Sequence, residues 1–148
     1  MQPKPDMISI QAVKRTPPTD TTATERFTVA SEHAIDFADA EMPAVLSTPK
    51  LVGILERTAR LALAPFLSPG ETSVGTEIEL QHFAPSPLGE TVTCLARVVR
   101  SEAPEVWFSL EVRDSQEIIA KGFHKRRVIE ISRFARRVSR KRAGAGQT

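Results

Sequence analysis

The chain has 148 residues, 41% hydrophobic and 26% charged, the proportions of one soluble globular domain. Its single cysteine, Cys94, excludes an intrachain disulfide and a zinc site built from cysteines, and no apolar run approaches the roughly 20 residues of a membrane span. The net charge of +2 is unevenly divided: residues 1–124 hold 11 Lys/Arg against 17 Asp/Glu, a net of −6, whereas residues 125–148 hold 9 Lys/Arg against Glu130 alone, a net of +8.

Residues 1–24 carry Pro3, Pro5, Pro17, Pro18 and the start of the polar run Thr19–Glu25. Such a segment has too little apolar surface to offset the entropy of ordering it, and it is expected to be a flexible arm. The first fifteen residues contain no uninterrupted apolar stretch of signal-peptide type, so the expected location is cytoplasmic. The folded domain is expected over residues 25–132, with Arg26–Ala30 and His33–Phe37 as candidate first strands.

A helix follows. Thr48 before Pro49 reads as an N-cap residue with proline in the first helical position, where a missing N–H costs nothing. Leu51, Ile54, Leu55, Ala59, Ala62 and Leu63 recur at helical spacing and form one broad apolar face. Gly53 in the interior suggests a close packing contact, and Pro65 with Ser68-Pro69-Gly70 ends the element.

After Gly70 the period changes to two. Val74, Ile78, Leu80 and His82 share one parity; Val92, Cys94, Ala96 and Val98 another; then Val106, Phe108, Leu110 and Val112; then Ile118, Ala120, Gly122 and Val128. Turn residues separate these runs at Pro85-Ser86-Pro87, Glu102-Ala103-Pro104 and Asp114-Ser115. Strands with short connections and one dry face predict an α+β fold, a curved antiparallel sheet wrapped around the helix. Residues 133–148 form a basic tail in which Phe134 and Val138 can hold one or two helical turns, with disorder expected beyond Arg142.

Thr48, Glu56 and His82 are the polar residues set into apolar patterns, and a buried polar group without a partner is costly. Each also has a plain structural reading: Thr48 as a helix cap, Glu56 as the partner of Arg60 one turn on, and His82 as a satisfied core histidine, like His124 in the last strand. Eight residues along a helix place Thr48 and Glu56 about 12 Å apart, too far for a direct hydrogen bond. If both act on one substrate, they flank a long ligand or come from two subunits, and a homodimer with interfacial sites makes the trio converge.

The Ser47-Thr48-Pro49 helix entry leading to Glu56, the Ser73-Val74-Gly75-Thr76 strand ending in His82, and Gly122-Phe123-His124-Lys125-Arg126 together resemble the hotdog-fold thioesterases, most closely the fluoroacetyl-CoA thioesterase-like group. The likeness covers about residues 27–131. It implies a central helix wrapped by five strands, a homodimer or dimer of dimers, no cofactor, and hydrolysis of acyl-CoA thioesters. It places the family's catalytic residues on Thr48, Glu56 and His82, a site-lining glycine on Gly75 and a conformationally important arginine on Arg126. Asp39-Ala40-Glu41-Met42-Pro43 departs from the aromatic lid of the fluoroacetate enzyme, which points to a generic short or medium acyl group. The alternative on the same fold is a module that binds acyl-CoA or an acyl carrier protein without hydrolysis. The basic tail could contact nucleic acid, an anionic membrane or the CoA phosphates. Phe134 is its only aromatic beyond Arg126, so there is no stacking platform, and nucleic acid is not the expected partner.

Overall fold

The computed structural model describes residues 16–145. Five strands, β1 (Thr22–Thr28), β2 (Glu71–His82), β3 (Thr91–Glu102), β4 (Glu105–Arg113) and β5 (Ile118–Glu130), form one antiparallel sheet in the order β1-β3-β4-β5-β2. Helix α1 (Thr48–Leu63) packs on one face, and α2 (Ile131–Ala145) continues directly from β5.

The dry face forms as the period-two pattern requires. Val92, Cys94, Ala96 and Val98 of β3 and Val106, Phe108, Leu110 and Val112 of β4 are all buried against the helix. From the helix come Leu51, Leu55, Ala59, Ala62 and Leu63. Thr58 lies in this apolar stripe because its hydroxyl proton has two acceptors within reach, the Ile54 carbonyl and the Glu25 carboxylate of β1, each at 2.8 Å. Glu25 also meets Arg57 at 2.9 Å, so one carboxylate ties the edge strand to the helix.

Several local features differ from expectation. The segment expected to be a flexible arm is tied to the sheet from residue 17 on: Ser101 Oγ donates to the Pro17 carbonyl at 2.7 Å, Asp20 and Thr21 exchange backbone bonds with Val98, and β1 opens at Thr22. Residues 1–15 lie outside the described residues. His33–Phe37 is not a strand; Ser31–His33 is a single 3-10 turn, closed by the Ala30 N–H on His33 Nδ1, with only an isolated bridge from Ala34 to Leu46. A side chain at Gly53 would meet nothing within 4 Å, so no close contact explains that glycine in the single chain. Helix α2 extends to Ala145, well beyond two turns and past the Arg142 limit, and residues 146–148 lie outside the described residues.

One irregularity governs the site. The β2–β5 register shifts between Gly75 and Glu77, leaving Thr76 without a paired residue. An extra residue in a strand reverses which parity faces inward. Ser73 and Gly75 therefore face the helix before the bulge, and Ile78, Leu80 and His82 are the inward set after it. Val74, expected in that same inward row, lies on the opposite side of the sheet.

Candidate active site

The helix start frees the first functional group. Ser47, not Thr48, is the N-cap: its hydroxyl accepts from the Lys50 N–H at 3.3 Å, and Thr48 is the first helical residue. The cap is one residue earlier than the Thr-Pro pair suggested, because proline suits the second helical position as well as the first; neither N–H has an intrahelical partner. The Thr48 hydroxyl, released from capping, lies 2.8 Å from His82 Nδ1 at the end of β2.

His82 is half-buried, and burial pushes its imidazole below the ordinary value of 6.5, partly opposed by the Ala84 backbone. Its Nε2 is shielded from solvent and has no hydrogen-bond partner among the described residues. A neutral imidazole whose Nδ1 faces a hydroxyl can accept that hydroxyl's proton. Thr48 and Pro49 also line a mainly apolar cavity of about 380 Å³, together with Ile35, Phe37 and Lys50.

The second group forms two turns further along α1. A Cβ at Gly75 would collide with Glu56 Oε2 and stand 3.0 Å from His124 Cε1, so only glycine lets the carboxylate lie against the β2 backbone. Beside it is Arg126, 5% exposed. Its Nε and Nη2 donate to the Ser73 hydroxyl and carbonyl, each at 2.9 Å, and its Nη1 approaches the Glu56 carbonyl oxygen at 3.4 Å. Burial lowers the guanidinium pKa from its usual value, while the Glu56 charge raises it.

His124, 2% exposed, completes this cluster. The Glu77 carbonyl, 2.8 Å from Nδ1, can only accept, so Nδ1 carries the proton and Nε2 is left to accept from Arg126 Nη1 at 3.2 Å. Burial is the first cause of its lowered pKa, and the nearby Arg126 charge adds to it.

Thr48 and His82 are thus joined within one chain, as are Gly75, Glu56 and Arg126, but the two clusters do not meet. No Glu56–Arg60 ion pair forms among the described residues; the charge facing Glu56 is Arg126. His124 is satisfied, as its plain reading has it, and also orients Arg126. Ser73 was not visible as a partner, although it lies two residues before Gly75 on the same face. Cys94 is buried and its thiol is pushed up to about 12, which leaves it unreactive. Among the described residues, no group of three His, Cys, Asp or Glu side chains is placed to hold a metal.

A five-stranded antiparallel sheet wrapped on one helix, with these clusters at the helix start and along its side, defines a hotdog-type protein. The chain belongs to the fluoroacetyl-CoA-specific thioesterase (FlK) family, whose model matches residues 29–132. It is 37% identical over 102 residues to the fluoroacetyl-CoA thioesterase of Streptantibioticus cattleyicolor, covering 69% of this chain and 73% of that protein. A solved structure of the fluoroacetyl-CoA thioesterase FlK is 32% identical and superposes with a TM-score of 0.77 over 84% of this chain and 96% of the other. A Thermus thermophilus thioesterase superfamily member, 23% identical, shares the fold with a TM-score of 0.83 over 90% of this chain and 99% of its own. The resemblance read from the sequence motifs holds, and with it the α+β hotdog architecture and the thioesterase class.

Proposed function

We propose that the protein hydrolyses a short or medium acyl-CoA thioester to the free acid and CoA, using Thr48, His82 and Glu56 for the chemistry and Gly75 and Arg126 to shape the site. The observation that carries this reading is the 2.8 Å approach of Thr48 Oγ1, which lines a mainly apolar cavity, to His82 Nδ1.

In the step this geometry supports, His82 Nδ1 takes the Thr48 hydroxyl proton as Oγ1 bonds to the thioester carbonyl carbon. The tetrahedral intermediate collapses with cleavage of the C–S bond, and the thiolate leaves without needing full protonation. Water then attacks the Thr48 ester, losing its proton to Glu56, while His82 returns to Oγ1 the proton it took and restores the hydroxyl. The positive end of the α1 dipole is suited to the negative charge that develops on the carbonyl oxygen.

Glu56 lies about 12 Å along the same helix, so within one chain it does not reach the same carbonyl. In our reading the protein is a homodimer in which Glu56 of one protomer serves the Thr48–His82 pair of the other, as base for the hydrolytic water. Thr48 is exposed in the single chain, which fits a site closed by a partner. The segment Asp39–Pro43 carries no aromatic residue, which favours a general acyl group over fluoroacetyl alone. The buried, unpaired Cys94 suits a reducing cytoplasm, and among the described residues no helix is long and apolar enough to cross a membrane.

The test is incubation of purified protein with acetyl-, butyryl- and octanoyl-CoA and a thiol reagent. Catalytic release of CoA is expected. Tight binding of acyl-CoA without release would replace this reading with that of a binding module.

A further inference from the structure

Helix α2 carries Arg133, Arg136, Arg137, Arg140, Lys141 and Arg142 and no acidic residue. Arg133, Arg137 and Arg140 fall at i, i+4 and i+7 and so form one ridge of the helix. That ridge and Phe134 make one wall of a groove of about 530 Å³, whose other wall includes Val74 and Arg127 and whose one acidic residue is Glu130. Arg127 is paired with Glu105 at 3.3 Å. None of the three ridge arginines has an ion-pair partner among the described residues.

This arrangement is unfavourable by itself. Like charges one helical turn apart repel, and Arg133 lies in the first turn, where the helix dipole is positive. The helix is exposed along its whole length, so burial does not compensate. A bound polyanion would relieve all of these terms. Phe134, 42% exposed on the same wall, adds a flat apolar face. Val74 pairs with Arg127 in the sheet, one position from the Gly75–Arg126 pair, so the groove lies on the face away from Glu56, and the two faces meet round the edge strand β2. The groove therefore opens on the outer side of the sheet at the level of the Glu56 cluster.

We propose that this groove binds the nucleotide end of the CoA thioester, with the arginine ridge on the 3′-phosphate and diphosphate and Phe134 against the adenine. The assignment rests on the thioesterase reading for its substrate, but the groove is tested independently of turnover. Adenosine 3′,5′-bisphosphate is titrated into the wild-type protein and into a variant carrying Arg133→Gln, Arg137→Gln and Arg140→Gln, with circular dichroism confirming that the variant is folded. Loss of about tenfold to a hundredfold in affinity is expected, as for the removal of charge-assisted contacts. In steady-state kinetics the nucleotide should compete with acyl-CoA but not with the same acyl group on pantetheine. The variant should lose most of the wild-type preference, in kcat/KM, for the CoA thioester over the pantetheine thioester.

Equal nucleotide affinity in the two proteins, or an unchanged preference between the two thioesters, would overturn the proposal. So would arginine-dependent binding to phosphatidylserine vesicles that the nucleotide does not displace, which would make α2 a membrane contact. If the wild type hydrolyses neither thioester yet binds the nucleotide through the ridge, the groove stands and the hydrolytic reading fails.

Discussion

Thr48 Oγ1 and His82 Nδ1 lie 2.8 Å apart because the helix is capped by the residue before Thr48. Ser47 performs the structural task, and the Thr48 hydroxyl is left for the imidazole. The two functions are therefore separable by mutation. Ser47→Ala should lower stability by about 1 kcal/mol, the usual effect of losing a cap. Thr48→Ala should leave the melting temperature near that of the wild type. Thermal unfolding of both variants checks this, and a larger loss in Thr48→Ala would return the cap to Thr48.

Protonation of His82 should abolish its role as base. Its pKa lies below 6.5 in the folded chain through burial, so kcat/KM should fall with decreasing pH only below the ordinary imidazole range. His124 is shifted in the same direction. For both, the unfolded chain binds the proton more readily than the folded one, so their contribution to stability is complete above 6.5 and is lost as pH falls through the folded values. A pH–rate profile and melting temperatures measured between pH 4 and 8 test the two statements separately.

Gly75→Ala should damage activity more than its size suggests. The added methyl collides with the Glu56 carboxylate and crowds His124, whose ring is held between Arg126 and the Glu77 carbonyl. Overpacking of this kind costs about 1–3 kcal/mol. Denaturant unfolding should report that loss, and kcat should fall with Glu56 displaced. A fully active, fully stable variant would show that the carboxylate can move freely.

Arg126→Lys should not be conservative. The guanidinium satisfies Ser73 at two atoms and His124 at a third, a geometry that one ammonium does not reproduce. Unfolding measurements should show a loss of about 1–3 kcal/mol, the usual effect of leaving buried partners unsatisfied.

Much of this fold was legible in the chain. The inward rows of β3 and β4 follow strict alternation, and the apolar face of α1 follows helical spacing; both are set by local periodicity. What periodicity did not reveal was set by pairing between distant strands. The bulge at Thr76 exists only against β5, and it moves Val74 to the other face while bringing Gly75 to the helix. The Thr48, Glu56 and His82 trio stood out as polar residues in apolar settings. That Arg126 is held by His124 and Ser73 was hidden, because Ser73 and Arg126 are 53 residues apart and meet only through the β2–β5 pairing.

If Glu56 acts across a dimer, two inactive proteins should complement each other. Mixing Thr48→Ala and Glu56→Ala chains and allowing exchange creates heterodimers with one complete site. Activity should return on mixing, while either parent alone stays inactive. No recovery in verified heterodimers would place Glu56 in the same chain's site or outside the chemistry.

The most direct measurement is the rate of CoA release by wild type, Thr48→Ala and His82→Ala under saturating acyl-CoA. The account predicts steady turnover by the wild type and a fall in kcat of about a hundredfold to ten-thousandfold in both variants, the range for loss of a positioned proton acceptor or its nucleophile. Near wild-type kcat in His82→Ala would contradict it.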